Sequence, residues 1–347
     1  MKHPVGTIRS HAGIGLIELM VAMLIGLFLI FGAVTIYQQS RSTFRTTEAV
    51  ARLQEVARLA FDVLEADLRM GNYWGLHNRT EYILNRAGAG ATLPAAFSEA
   101  QGAAIDHCGG DGSNWAIDLD RYLDGSNNGY ALDCEEFGGT GAASADADTV
   151  IIRRASESMP ATLEAGRVHL QTSRLQGALF VPTAGCVGVN PALVANAACV
   201  PAAYAAPASQ TRQLVVHAYY VSTQSTMRDD VPALRRKSLG NVNAAAPEDA
   251  VTDEEIVAGV EDLQVQFGVD TNGDTNIDEY MNPGEVSSTD AVISATIWLR
   301  IRAEDIEVGH VDGNSYQYAD MGAAVVPNDN YRRILVSKTI LLRNTRT

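Results

Sequence analysis

Oxygen-bearing side chains alternate along one short segment of this 347-residue chain. The segment runs from Asp270 through Asn272, Asp274 and Asn276 to Asp278. Counted from Asp270, side-chain oxygens stand at positions 1, 3, 5 and 9, and the main-chain carbonyl of Asn276 stands at position 7. An EF-hand-like loop surrounds Ca²⁺ with this alternation, because a hard cation prefers oxygen ligands. The pattern predicts a calcium-binding loop.

The same segment departs from that pattern at two positions. Thr275 stands at position 6 instead of glycine, and Met281 stands at position 12 instead of a bidentate glutamate, a role that Glu279 or Glu285 could take. The residues before the loop have the pattern of a strand. A hairpin turn rich in Asp, Asn and Gly, without an ion, is therefore the alternative interpretation.

Four cysteines form the second group of residues with chemical potential. Cys108, Cys134, Cys186 and Cys199 allow three disulfide connectivities. We expect sequence neighbours to pair, Cys108 with Cys134 and Cys186 with Cys199, because each pair bounds a loop-like segment. The sequence has neither a CxxC motif nor a cysteine–histidine spacing typical of zinc sites.

Composition and missing motifs exclude several classes of protein. The sequence contains no GxSxG, HExxH or Walker A motif, so we expect a non-catalytic protein. Its net charge of -15 opposes general nucleic-acid binding, which requires cations against phosphates. With 46% hydrophobic residues the chain is not disordered, and a mean hydropathy of -0.02 excludes a polytopic membrane protein.

The apolar residues are concentrated near the N-terminus. Leu19–Ile36 contains no charged residue, and its length as a helix is about 27 Å, close to the hydrocarbon thickness of a bilayer. Lys2 and Arg9 precede it, which predicts a single-pass inner-membrane segment with the rest of the chain in the periplasm. Glu18 lies at the edge of the span, where an unpaired carboxylate is costly. A plain signal anchor with an isolated glutamate is the alternative.

The string GIGLIELMVA, from Gly13 to Ala22, resembles the class III signal of type IV prepilins and pseudopilins. The resemblance implies that a prepilin peptidase cuts after Gly13, that Ile14 becomes the N-methylated first residue, and that Glu18 is mature position five. We expect Glu18 to neutralise the new α-amine of a neighbouring subunit, because two charges that are costly in lipid then form a pair. Glu18 is thus the predicted assembly residue.

A helical pattern continues beyond the apolar block. One apolar stripe recurs at three- and four-residue spacing, at Leu53, Ala57, Ala60, Leu64 and Leu68. Gly71-Asn72 provides a C-terminal stop. These patterns predict one helix over residues 14–70, about 85 Å long.

These patterns, together with what the resemblance to prepilins implies, predict four segments: a cleaved leader of residues 1–13, a transmembrane or filament-core helix half of residues 14–37, an amphipathic half of residues 38–71, and a periplasmic globular domain of residues 72–347. Ala87–Ala104 is predicted to be a surface loop. The predicted strands cover residues 149–154, 167–172, 213–222, 233–239, 262–269, 292–302 and 334–343. The expected fold is α+β and type IV pilin-like, with the long helix packed on an antiparallel β-sheet that carries long loop insertions.

Val260–Asp270, Arg332–Ile334 and Leu341–Asn344 resemble the C-terminal half of the PilW family of minor pilins. That resemblance implies a non-catalytic minor pilin that helps initiate type IV pilus assembly, supports twitching motility, and sits at or near the pilus tip. Its implied partners are other minor pilins, the major pilin and a tip-associated protein. A minor pseudopilin of a type II secretion system and a tip adhesin are the alternatives.

Overall fold

The computed structural model describes residues 15–110, 112–192, 198–201 and 209–344. The described residues up to Ala51 form one compact unit, and those from Arg52 onward form a second. The helices are α1 (Leu16–Met70) and α2 (Glu99–Asp106). The strands are β1 (Ile83–Leu84), β2 (Leu123–Ser126), β3 (Thr149–Ala155), β4 (His169–Thr172), β5 (Gly177–Phe180), β6 (Gln210–Ser222), β7 (Ala233–Leu239), β8 (Val251–Ala258), β9 (Val260–Asp270), β10 (Glu279–Met281), β11 (Ala291–Arg302) and β12 (Arg333–Leu341).

The structure confirms the α+β fold, with a long N-terminal helix followed by β-sheets. It divides the strands between two sheets, where a single sheet was expected. The larger sheet has the order β1-β5-β4-β6-β3-β2, with β7 on β6 and β8 on β7, and the smaller has the order β10-β9-β11-β12. All pairings are antiparallel except that of β1 with β5.

Gly259 marks the passage from the first sheet to the second. It is the single residue between β8 and β9, and its φ of 93° lies in the left-handed region. A Cβ at this position would meet the Arg302 carbonyl oxygen at 3.0 Å. Glycine therefore permits the sharp turn by which consecutive strands enter different sheets.

Two buried clusters form the core of the second unit. In the first, the stripe of α1 packs between strands of both sheets, and all five stripe residues that the sequence predicted are buried: Leu53, Ala57, Ala60, Leu64 and Leu68. The second cluster lies against the opposite face of the larger sheet and includes α2 residues such as Ile105. Burial of that apolar stripe, more than intrinsic propensity, fixes the second half of α1 on the sheets.

Helix α2 corrects the prediction of a surface loop over Ala87–Ala104. The helix begins after Ser98, whose Oγ accepts the N–H of Gln101 at 3.3 Å. The Gln101 side chain in turn accepts the N–H of Ser98 at 2.9 Å. This reciprocal capping box was visible in the sequence as Ser-x-x-Gln, but the surrounding Ala and Gly residues favoured a loop.

Candidate assembly site

Glu18 lies in the first turn of α1, among the residues that the sequence predicted for subunit assembly. Its Oε2 accepts the backbone N–H of Gly15 at 3.1 Å. A carboxylate at this end of a helix is favourable, because the first N–H groups have no partner within the helix and carry partial positive charge. Gly13 and Ile14, the predicted processing residues, lie outside the described residues.

The first half of α1 presents apolar side chains in every direction. Each large apolar residue from Leu16 to Ile36 is at least 46% exposed in this chain. The helix is long and apolar enough to cross a membrane, with a mean hydropathy of 2.7 in its most apolar window. So much exposed apolar surface requires an apolar environment, either lipid or other helices.

A buried carboxylate anchors the last turns of α1 to the larger sheet. Arg154 of β3 donates to Asp67 Oδ1 from Nη2 at 2.7 Å and from Nε at 3.0 Å. His217 and Tyr219 of β6 both contact Oδ2 of the same carboxylate. Burial by itself would raise the pKa of Asp67, but the hydrogen bonds and charges of His217 and Arg154 hold it well below its usual range.

Asp67 was not among the site residues predicted from the sequence. The available signal was its position, because it stands between Leu64 and Leu68 on the apolar stripe. A carboxylate on a buried stripe must find cationic or hydrogen-bonding partners. Those partners come from strands roughly 90 to 150 residues further along the chain, so only the folded structure identifies them.

The predicted calcium loop connects β9 to β10 in a hairpin. Asp270 Oδ1 accepts the N–H groups of Asn272 at 3.1 Å and Gly273 at 2.7 Å, and its Oδ2 accepts that of Thr275 at 2.7 Å. Asp278 Oδ2 accepts the N–H of Thr271 at 2.9 Å across the loop. The loop therefore has the side-chain-to-backbone bonds of the hairpin turn that was the alternative interpretation.

Thr275 occupies the loop position at which an EF-hand has glycine. Its φ of 69° lies in the left-handed region, which is unfavourable for a β-branched residue. Within the described part of the chain no three His, Cys, Asp or Glu side chains are grouped so that they could hold a metal ion. The loop thus has a turn typical of a calcium loop, but its three aspartates are not gathered around one point.

Both disulfides join sequence neighbours. Cys108 bonds to Cys134 and Cys186 bonds to Cys199, which is the pairing that the sequence favoured. Cys108 and Cys134 are 0% and 3% exposed and belong to the second core cluster. The bond between Cys186 and Cys199 closes a shorter loop, with a sequence separation of 13 against 26.

The C-terminal part of the chain is similar to a known family. Residues 218–344 match the family described as Type IV Pilus-assembly protein W, PilW. The matched residues begin within β6 and include the whole smaller sheet, whereas α1 lies outside them. Neither the curated proteins nor the solved structures contain a match to this chain. The family match supports a type IV pilus-related protein that is involved in pilus assembly.

Proposed function

We propose that this chain is a minor pilin that helps initiate type IV pilus assembly and sits at or near the pilus tip. The match of residues 218–344 to a pilus-assembly family carries the proposal. In this role the protein is not catalytic. Its contribution is to offer surfaces on which other minor pilins, the major pilin and a tip-associated protein assemble.

The first half of α1 supports the membrane part of the proposal. Its apolar surface suits the inner membrane before assembly, with the globular domain in the periplasm, and suits a filament core afterwards. Cleavage after Gly13 would give Ile14 a charged α-amine, and Glu18 of the next subunit would neutralise it. Such a pair removes the cost of two isolated charges in an apolar environment and fixes the axial register between subunits.

We further propose that the loop from Asp270 to Asp278 binds Ca²⁺. The alternating oxygens and the left-handed backbone at Thr275 support this proposal. Binding would require Asp274 and Asp278 to turn inward, because three aspartates are not gathered around one point. Because the loop lacks the bidentate glutamate at position 12, we expect its affinity for Ca²⁺ to be weak.

Gene deletion tests the proposed function at the level of the cell. We expect loss of surface pili and of twitching, with protein secretion unchanged. Loss of secretion with normal pili would instead assign the chain to a type II secretion system. Normal piliation with loss of surface attachment would favour an adhesin.

Substitution of Glu18 tests the assembly role directly. We expect Glu18→Ala to abolish piliation while the chain still accumulates in the membrane, because the α-amine of a neighbouring subunit loses its partner. Glu55→Ala is the matched control, since Glu55 is an exposed carboxylate on the same helix. Normal pilus numbers in the Glu18→Ala strain would contradict the proposed role.

A further inference from the structure

Strand β12 forms one edge of the smaller sheet, and β11 is its strand partner among the described residues. The pairing continues along all nine residues of β12 without a bulge. Two backbone hydrogen bonds just beyond the ends of β12 show which of its residues bond to β11. The N–H of Ala303 donates to the carbonyl of Arg332, and the N–H of Leu342 donates to the carbonyl of Ile293. Since hydrogen-bonded pairs recur at every second residue of an antiparallel ladder, the direction of each backbone group in β12 follows.

Five residues of β12 direct their N–H and C=O groups away from β11. They are Arg333, Leu335, Ser337, Thr339 and Leu341. In the described part of the chain these backbone groups have no hydrogen-bond partner. Water satisfies them in the isolated chain, and an added strand would satisfy them equally well.

The edge is also accessible. Leu335 is 37% exposed and Leu341 is 58% exposed. Proteins usually protect such an edge with a short strand, a proline, a bulge or a charged side chain, and β12 has the charge of Lys338 but none of the other three. A long, open edge without a bulge is the structure to which an extended peptide adds by backbone hydrogen bonding.

We propose that β12 accepts an extended segment of a different polypeptide as an additional strand, and that this segment carries a carboxylate opposite Lys338. This interaction surface goes beyond the proposed role in pilus assembly. The partner segment would supply backbone groups for the five outward-facing residues and apolar side chains beside Leu335 and Leu341. It would make about ten backbone hydrogen bonds if it is antiparallel and pairs along the whole strand, two for each outward-facing residue.

Charge supports the carboxylate. The chain carries a net charge of -15, yet its last sixteen residues contain five basic and no acidic residues. Two of the five, Arg332 and Arg333, are paired with carboxylates of the same chain. Lys338 is the exposed one of the two basic residues of β12: its side chain remains 42% exposed although its amine contacts Glu65 of α1, whereas the side chain of Arg333 is 2% exposed. A carboxylate directly opposite would give this amine a second partner, because cross-strand neighbours lie about 5 Å apart.

A second copy of this chain fits the edge poorly, because β12 contains no acidic residue that could lie opposite Lys338 in any register. Antiparallel pairing of two β12 strands about Lys338 would place the two lysines opposite each other, which is destabilising.

Hydrogen exchange on the full-length chain in detergent micelles tests the proposal without any substitution. The probe is a synthetic nine-residue peptide that alternates valine and threonine around a central glutamate, at about 1 mM. We expect it to slow exchange of the Ser337 and Thr339 amides, while the Val336 and Lys338 amides are already protected by β11. No change at Ser337 and Thr339 would overturn the proposal, whether or not the chain acts in pilus assembly.

Affinities measured by fluorescence anisotropy with the same peptide give the second test. Thr339→Pro removes an outward N–H and no bond to β11, so we expect about a tenfold loss of affinity, and Ser337→Thr serves as the control with unchanged affinity. Lys338→Met should remove the preference for the glutamate-centred peptide over a glutamine-centred one. A concentration-dependent dimer that Thr339→Pro abolishes would overturn the choice of partner in favour of a second copy.

Discussion

His217 of β6 donates a hydrogen bond from Nδ1 to the carboxylate of Asp67, joining the end of α1 to the centre of the larger sheet. The two residues are 150 positions apart in the chain. The side chain of Asp67 is only 5% exposed, so the contact is a polar bond inside an otherwise apolar interface. It complements the hydrophobic stripe, which supplies burial but little directional specificity.

Asp67→Asn should weaken the attachment of α1 to the sheet. The change leaves the guanidinium of Arg154, whose side chain is 13% exposed, without its counter-charge, and such losses cost about 3–5 kcal/mol. Because the pKa of Asp67 is depressed in the folded state, its stabilisation is present above about pH 4 and is lost as the pH falls further. Urea unfolding of the full-length chain at pH 7 and pH 3 measures both effects.

Asp62→Asn provides the control for that experiment, because Asp62 is exposed on the same helix and its pairing with Arg58 is a surface contact. We expect it to change the unfolding free energy by less than about 1 kcal/mol. An Asp67→Asn variant as stable as this control at pH 7 would show that the buried bond does not hold the helix.

Asp148 should make the domain less stable as the pH rises from about 4 to 7. Its carboxylate accepts the N–H groups of Asn128 at 2.9 Å and Val265 at 2.7 Å, joining the segment before β3 to β9. Burial and the nearby charges of Asp320 and Asp262 raise its pKa to about 7, and burial has the larger effect. The folded state therefore holds a proton that the unfolded chain releases near pH 4, and stability is lost as that proton leaves.

The size of this effect follows from the two pKa values. The rise of the Asp148 pKa from 3.8 to about 7 corresponds to a loss of roughly 4 kcal/mol at most in the free energy of unfolding. Urea unfolding in steps between pH 4 and pH 8 measures the decline, and Asp148→Asn should flatten it because the side chain no longer titrates. A wild-type unfolding free energy that rises through this range would be the opposite sign and would refute the prediction.

Calcium at about 10 mM should raise the melting temperature of the full-length chain by a few degrees. A site with a dissociation constant near 1 mM would add about 1.4 kcal/mol at that concentration. Thr275→Gly should leave the size of this shift unchanged, since the φ of 69° is already present without calcium and glycine relieves its strain in both states. Asp274→Asn keeps an acceptor for the Asn276 N–H at 2.8 Å but removes a ligand charge, so it should abolish the shift. Equal melting temperatures with and without calcium would exclude the site.

Removal of either disulfide should lower the free energy of unfolding, and the two losses should differ. Loop entropy predicts about 3.5 kcal/mol for the bond between Cys108 and Cys134 and about 3 kcal/mol for that between Cys186 and Cys199. The first pair is also buried in the second core cluster, so its replacement by alanines leaves a cavity and should cost more. Denaturant unfolding of the two double alanine variants compares them directly. A larger loss for the Cys186 and Cys199 variant would contradict this order.

The local patterns of the sequence were sufficient to predict those helices and strands that follow a single periodicity. The stripe from Leu53 to Leu68 predicted which face of α1 is buried, and alternation predicted β11 as a strand. The short strands β1 and β5 were missed because two to four residues carry too little pattern. The strand β8 was missed because its central residues are acidic, and their partners, such as Arg235, lie on another strand.

The sequence by itself determined the apolar helix with Glu18, the amphipathic continuation, the α+β class and the alternating oxygens of the β9–β10 loop. These features depend on spacing within a single segment, which periodicity records. Only the tertiary structure decided the division into two sheets at Gly259, the partners of Asp67 and the open edge of β12. Each of these depends on which distant strands become neighbours, and that choice is made by packing over the whole domain.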